Sequence, residues 1–74
     1  MNANGETHIL PPRYLEVLAL TADGLTTKQA AKTLLLGVET VKTYKRSLIL
    51  EFNAKNMAQV ISIAYKKGIL PIDE

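Results

Sequence analysis

One stretch of this chain, residues 38–52 (VETVKTYKRSLILEF), combines cations, hydroxyls and apolar side chains at helical spacing. Wound as an α-helix at about 100° per residue, it separates into two faces. One face carries Val41, Tyr44, Leu48 and Phe52, and the other carries Glu39, Lys42, Thr43, Arg46 and Leu50. The first face is typical of a helix packed on a protein core. The second offers two cations and a hydroxyl to an external ligand.

The dimensions of this helix narrow the choice of ligand. At roughly 1.5 Å per residue it is about 22 Å long, and a rod with a basic leading half suits the major groove of DNA, roughly 12 Å wide. We therefore interpret 38–52 as a DNA-recognition helix. Arg46 can bond guanine O6 and N7 in a fork, Lys42 can donate to a base or a phosphate, and the Thr43 methyl suits thymine. A merely solvated helix face is the alternative.

Composition and charge limit the other classes of function. The 74 residues are enough for one small domain, with a net charge of +2 and no cysteine for a disulfide or a thiolate metal site. The single histidine, His8, belongs to the polar segment 1–9, which we expect to be a flexible arm. No signal peptide or membrane span is evident. We expect a cytoplasmic, nucleoid-associated protein without enzymatic activity, cofactor or metal.

Charge placement is more informative than net charge. Six of the nine Lys and Arg residues lie between Lys28 and Lys55, with only two acids, Glu39 and Glu51, in the same interval. The other acids lie towards the two ends of the chain. A basic middle of this kind is typical of a local surface that faces phosphates.

Three further helices surround the recognition helix in the predicted layout. Residues 13–22 follow Pro11-Pro12 and bring Tyr14, Leu15, Val17, Leu18 and Ala22 to one face. The T-x-x-Q sequence beginning at Thr26 predicts a capping box for a helix that ends near Leu34 and buries Ala30, Ala31 and Leu34. A last helix, capped by Asn56 and ending near Lys67, buries Val60, Ala64 and part of Ile61. Residues 69–72 are expected to pack back on the core.

A short helix, a turn and a longer helix with an exposed polar face is the helix-turn-helix layout. Six short sequence motifs occur along the chain in this layout. In order, they are L-P-P-R at 10–13, E-V-L at 16–18, A-D-G at 22–24, T-K-Q-A-A at 27–31, T-V-K-T at 40–43 and G-I-L at 68–70. In this combination the chain resembles the LuxR-type (GerE-type) helix-turn-helix domain. The resemblance implies an all-α, four-helix fold of the winged-helix-like class without a wing, over residues 10–74.

The resemblance also implies roles for individual residues. Lys42, Thr43 and Arg46 would face base edges, and phosphates would be contacted by Thr26, Thr27, Lys28, Thr40 and Lys45. Lys45 is close to the apolar stripe, so its stem is expected along the core edge with the ammonium reaching outward. Two helix caps depart from the family pattern, because Pro11 and Gly37 stand where a Ser or Thr is usual.

The last helix is where the resemblance implies a two-fold homodimer. Met57 and Ile63 are left over from its core stripe and are expected to point away from the core, towards a second copy. Double-stranded DNA is the expected partner, with RNA polymerase or another regulator as a further one. The alternative hypothesis is a protein-interaction module of the same fold that pairs with, or sequesters, another regulator.

Overall fold

The computed structural model describes residues 10–71, and in this range the chain forms four α-helices. They are α1 (Pro12–Ala22), α2 (Thr27–Leu34), α3 (Val38–Glu51) and α4 (Met57–Lys66). The predicted all-α class is confirmed, and the four helices lie where the sequence places them, to within one or two residues at their ends. His8 and the rest of the predicted arm lie outside the described residues, as does Ile72. Nowhere in 10–71 is a helix long and apolar enough to cross a membrane.

The core is built around α3, which packs against each of the other three helices. Its buried members are Val17, Leu18, Ala30, Ala31, Val41, Leu48, Phe52, Val60, Ala64 and Leu70. The two alanines of α2 are buried at its contact with α3, where small side chains let two helices approach closely. Leu70 closes the core after α4, so the predicted return of the tail is confirmed as far as this residue. Helix α3 is therefore held along its whole apolar face.

An aromatic pair fixes α1 against α3. The rings of Tyr14 and Tyr44 are 4.7 Å apart between centroids and inclined at 78°, an edge-to-face arrangement. Contacts of this geometry add about 0.5–1.5 kcal/mol to the burial of the rings. Tyr44 thus packs on the protein side of α3, the face to which the sequence assigns it.

The helix starts follow the capping residues. The Thr26 hydroxyl accepts from the Gln29 amide while the Gln29 side chain accepts from the Thr26 amide, so the predicted capping box is confirmed. Asn56 caps α4 through Gln59, whose side chain reaches back one residue further, to the Lys55 amide. Pro11 and Gly37 provide no side-chain cap for α1 and α3. Helix α3 therefore begins without a capping oxygen.

All four helices end in the same way, with one residue in the left-handed conformation. These residues are Gly24, Leu35, Asn53 and Gly68, with φ of 95°, 58°, 53° and 75°. After each, the next amide donates to a carbonyl five residues back, as in Leu36 to Ala31 and Ala54 to Ile49. Glycine and asparagine are usual at such a position. Leu35 is the exception. Its β-carbon is strained in this conformation, and its side chain is 91% exposed.

Two expectations about packing are wrong. Leu15 is exposed, because it lies about 110° around α1 from the middle of the face that Val17 and Leu18 bury. Met57 and Ile63 do not point away from the core; both are half-buried and pack against it. Around α4, Met57 lies about 40° and Ile63 about 80° from the middle of the stripe of Val60 and Ala64, so the packed side of the helix is wider than that stripe.

Candidate nucleic-acid interface

The two faces predicted for α3 are present in the folded chain. Val41, Leu48 and Phe52 are buried, and Tyr44 is half-buried beside them. The opposite surface, which we call the α3 outer face, consists of the exposed residues Glu39, Lys42, Thr43, Arg46 and Leu50. Backbone geometry places them within about 100° of one another around the helix. The outer face is a continuous stripe that an extended ligand can follow.

The two cations of the outer face differ in their surroundings. Arg46 has no side-chain hydrogen bond or ion pair within residues 10–71, so its guanidinium is available. The Lys42 ammonium lies 3.2 Å from a carboxylate oxygen of Glu39, one turn earlier. Of the two cations that this face was expected to offer, Lys42 is therefore ion-paired within its own helix. Both partners are well exposed, and pairs of this type contribute only about 0–1 kcal/mol, so a ligand can separate them.

Thr43 is oriented by its own helix. Its hydroxyl donates to the Glu39 carbonyl oxygen at 3.0 Å, the bond that a threonine makes to the preceding turn. The donor is thereby engaged, and the methyl group and the oxygen lone pairs remain for an external partner. This arrangement suits an apolar contact with a thymine methyl, the contact proposed for this residue from the sequence.

A second group of predicted contacts gathers at the start of α2. The capping box occupies the amide of Gln29, which leaves the first-turn amides of Thr27 and Lys28 without an intrahelical acceptor. Lys28 is exposed, and Thr27 is half-buried. Such a helix start favours an anion through its amides and its dipole. Thr40 is also exposed, in the first turn of α3, but on a different side of the helix from Lys42.

Lys45 connects this group to α3. Its ammonium donates to the Thr27 hydroxyl at 2.7 Å, across 18 residues of chain. Partial burial lowers the pKa of Lys45 from its ordinary value of 10.5. The stem therefore runs along the core edge and the ammonium reaches outward, as expected, but towards the start of α2. Sequence spacing carries no signal of this bond because the two residues meet only through the packing of α2 on α3.

The C-terminal end of the outer face is apolar. Leu50 is 76% exposed, and it borders an open groove of about 500 Å³. The groove is lined by Leu10, Pro11, Tyr14, Ser47, Leu50 and Glu51. The basic and hydroxyl groups of the outer face thus lie within the first nine of the fourteen residues of α3, and it is the N-terminal part of such a helix that contacts base edges in helix-turn-helix proteins.

Met57 and Ile63, the residues predicted for a dimer interface, are not the most exposed residues of α4. The outward side of α4 consists of the exposed residues Ala58, Gln59, Ser62, Tyr65 and Lys66. Ala58, Ser62 and Tyr65, spaced four and three residues apart, form a stripe along it. Residues 10–71 also contain no group of three or more His, Asp or Glu side chains placed to hold a metal ion. The polar surface with convergent chemistry is therefore the one shared by α2 and α3.

Four helices, a capped α2, a tight turn and a longer α3 with a polar outer face define the helix-turn-helix class of DNA-binding domains. A model of the bacterial regulatory proteins of the luxR family matches residues 8–64. The chain belongs to this family and carries its DNA-binding domain. The resemblance seen in the sequence is confirmed.

Individual relatives are similar over most of this chain. It is 33% identical over 69 residues to the oxygen regulatory protein NreC of Staphylococcus carnosus, covering 93% of this chain and 32% of that protein. It is 38% identical over 66 residues to the HTH-type transcriptional activator RamA of Corynebacterium glutamicum, covering 89% of this chain and 24% of that protein. It is 34% identical over 61 residues to the positive transcription regulator BvgA of Bordetella pertussis, covering 82% of this chain and 29% of that protein. The chain thus spans a third or less of these relatives.

Proposed function

We propose that this chain is a sequence-specific, double-stranded-DNA-binding regulator of transcription that reads the major groove with Lys42, Thr43 and Arg46. The observation that supports this most directly is the α3 outer face. It presents these three residues to solvent, while the opposite side of the same helix is buried. Membership of the luxR family makes DNA the expected ligand of this face. Such a regulator acts where bacterial DNA lies, in the cytoplasm.

The contacts with the DNA backbone are assigned to residues around the start of α2. Thr26, Thr27 and Lys28 would meet a phosphate through the first turn of that helix, with Lys45 beside them and Thr40 at the start of α3. These contacts set the position of α3 in the groove and carry no sequence information. About four to six neutralised phosphates per subunit would give a steep decrease of affinity with salt, with a slope of about −0.9 per contact.

A two-fold homodimer through α4 is part of the proposal. The stripe of Ala58, Ser62 and Tyr65 would lie at its centre, with the outer edges of Met57 and Ile63 contributing at the flanks. Two-fold symmetry would then require inverted half-sites about 10 base pairs apart. Sedimentation of the wild type and of Tyr65→Asp, with and without DNA, tests this part. Equal monomer fractions for both at every concentration would contradict it.

The main experiment is selection of bound sequences from a random duplex pool, followed by titrations of the selected and of a random duplex at several salt concentrations. Arg46→Ala should cost about 1–3 kcal/mol on the selected duplex and relax the preference at one position. Lys28→Ala should weaken both duplexes alike and lower the salt slope by about one. Lys67→Ala, at an exposed lysine that follows α4 and lies away from the stripe of Ala58, Ser62 and Tyr65, is the matched control and should change neither.

Two results would contradict the proposal. Absence of binding to random duplex at low salt would indicate the rival function, a protein-interaction module that pairs with another regulator. Equal losses on selected and random DNA for Arg46→Ala and Lys28→Ala would leave the fold as a DNA-binding domain but remove the assignment of base reading to the outer face.

A further inference from the structure

Glu39 occupies the middle of the α3 outer face. It belongs to the first turn of α3, the part of a recognition helix that approaches base edges in this class. Around the helix it lies between Lys42 and Thr43, close to the line of Arg46. Its carboxylate side chain is 86% exposed. Any approach that brings Lys42 and Thr43 to the bases therefore brings this carboxylate as well.

A carboxylate in the major groove has few partners. Guanine offers only the acceptors N7 and O6 there, and thymine offers the acceptor O4 and a methyl group, so both repel it or leave it unsatisfied. Adenine has a donor, N6, next to the acceptor N7. Cytosine alone presents a donor, N4, without an acceptor of its own. A buried, unpaired carboxylate is costly. At the base that Glu39 meets in the groove, it therefore disfavours binding to every base except cytosine.

The distance between Glu39 and Lys42 has a counterpart in DNA. The Lys42 Nζ and a Glu39 carboxylate oxygen are 3.2 Å apart, a donor next to an acceptor. In a G·C pair the cytosine N4 and the guanine O6 are themselves joined by a hydrogen bond, so they are about 3 Å apart, again a donor next to an acceptor. The ion pair and the groove edge of one G·C pair are therefore complementary in chemistry and in spacing.

We propose that Glu39 is a specificity-determining residue and that it acts with Lys42 as one unit, which reads a single G·C base pair. Glu39 accepts from cytosine N4, and Lys42 donates to O6 and N7 of the paired guanine. Away from such a pair, Glu39 keeps the Lys42 charge neutralised and repels phosphates, so binding to other sequences stays weak. This inference rests on the proposed function, because it requires the outer face to enter the groove.

The same pair could be a purely structural feature of the helix, since a first-turn acid is favoured by the helix dipole. A second ion pair in the chain separates these two roles. Arg13 and Glu16 in α1 are also three residues apart, at 3.0 Å, and exposed. Glu16→Gln is therefore the matched control for Glu39→Gln, since it breaks an exposed helical pair of the same length outside the outer face.

The test compares Glu39→Gln, Lys42→Met, the double variant and Glu16→Gln with the wild type, on the selected duplex, on single-base changes of it, and on random duplex. For Glu39→Gln we expect about tenfold less discrimination at one G·C position. We also expect several-fold tighter binding to random duplex, with a salt slope steeper by about one because the Lys42 charge is released. The double variant should lose no more discrimination than Lys42→Met alone, and Glu16→Gln should change nothing. Helix content and thermal unfolding confirm that each variant is folded.

Failure of this inference is distinct from failure of the proposed function. If wild-type protein selects a site but Glu39→Gln keeps its base preferences and its random-duplex affinity, Glu39 is only a structural acid and the inference is wrong. A loss of preference at an A·T position instead of a G·C position also overturns it. If the wild type binds no duplex at low salt, it is the proposed function that fails.

Discussion

The Lys45 ammonium donates a 2.7 Å hydrogen bond to the Thr27 hydroxyl and so joins α3 to the first turn of α2. Each residue was assigned to phosphate separately from the sequence, and the fold places them together. A hydroxyl that accepts from an ammonium still has a donor of its own to offer, and the ammonium has two further N–H groups. Both residues are therefore available to a single phosphate at the start of α2, held in position before DNA arrives.

The first prediction concerns this shared phosphate. Thr27→Val and Lys45→Met should each weaken binding to random and selected duplex alike, because backbone contacts do not depend on sequence. If they meet one phosphate, the double variant should lose less than the sum of the two, with a coupling of about 0.5–3 kcal/mol. Titration of the four proteins measures it. Thr33→Val, an exposed threonine later in α2, is the control, and additive losses would assign the two residues to separate phosphates.

The second prediction is a pH dependence of stability. Burial lowers the pKa of Lys45 below 10.5 in the folded chain, so between that lowered value and 10.5 the unfolded chain binds more protons than the folded one. The free energy of unfolding then gains a contribution that rises with pH in this window. The wild type should therefore gain stability relative to Lys45→Met as the pH is raised from about 8 to 10.5. Urea unfolding of both at each pH is the measurement, and a constant difference would contradict it.

The elements of this fold are predictable because their signals are local. Helical spacing, the capping box at Thr26 and the Asn56 cap depend on residues within one turn of each other, and the structure has all of them. The outer face of α3 is predictable for the same reason. The ion pair of Glu39 and Lys42 was not predicted from the sequence, although their i,i+3 spacing permits one.

What the sequence does not reveal depends on packing between helices. The bond from Lys45 to Thr27 and the half-burial of Met57 and Ile63 arise where two elements distant along the chain come together. A helical wheel treats each helix as if one side faced a flat core. On α4 the packed side is wider than the stripe of Val60 and Ala64, so it includes Met57, close to the stripe, and Ile63, about 80° from its middle. The groove beside Leu50 likewise forms between residues of α1 and α3 that are distant along the chain.

The third prediction addresses the strained turn between α2 and α3. Leu35 has φ of 58° and a side chain that is almost fully exposed, so the strain of about 1–2 kcal/mol is not offset by burial. Leu35→Gly should remove it at an entropic cost of about 0.5–1 kcal/mol. The net result should be a melting temperature higher by a few degrees, at about 4–8 °C per kcal/mol for a domain of this size.

The control for this prediction is Leu35→Ala, which removes most of the side chain but keeps the β-carbon and its strain. Its melting temperature should stay close to that of the wild type. If the melting temperature of Leu35→Ala rises as much as that of Leu35→Gly, the exposed side chain destabilises the wild type and the backbone conformation does not. If Leu35→Gly melts below the wild type, the left-handed conformation carries no strain worth relieving.

The last prediction concerns the uncapped start of the recognition helix. Gly37 has φ of −73° and ψ of 153°, which any residue adopts, and a β-carbon there would meet only the Thr40 hydroxyl, at 3.8 Å. Gly37→Ser should supply the missing cap by accepting from the Thr40 amide, a gain of a few tenths of a kcal/mol, and should restrict the unfolded chain by about 0.4–1 kcal/mol. Thermal unfolding should show a rise of several degrees, and hydrogen exchange should slow at the Thr40 amide.

The control is Gly37→Ala, which restricts the unfolded chain equally but offers no acceptor. It should melt below Gly37→Ser and leave the exchange rate of the Thr40 amide unchanged. Equal melting of the two variants would mean that the side chain of residue 37 does not reach the helix, and that α3 is held by its buried face alone.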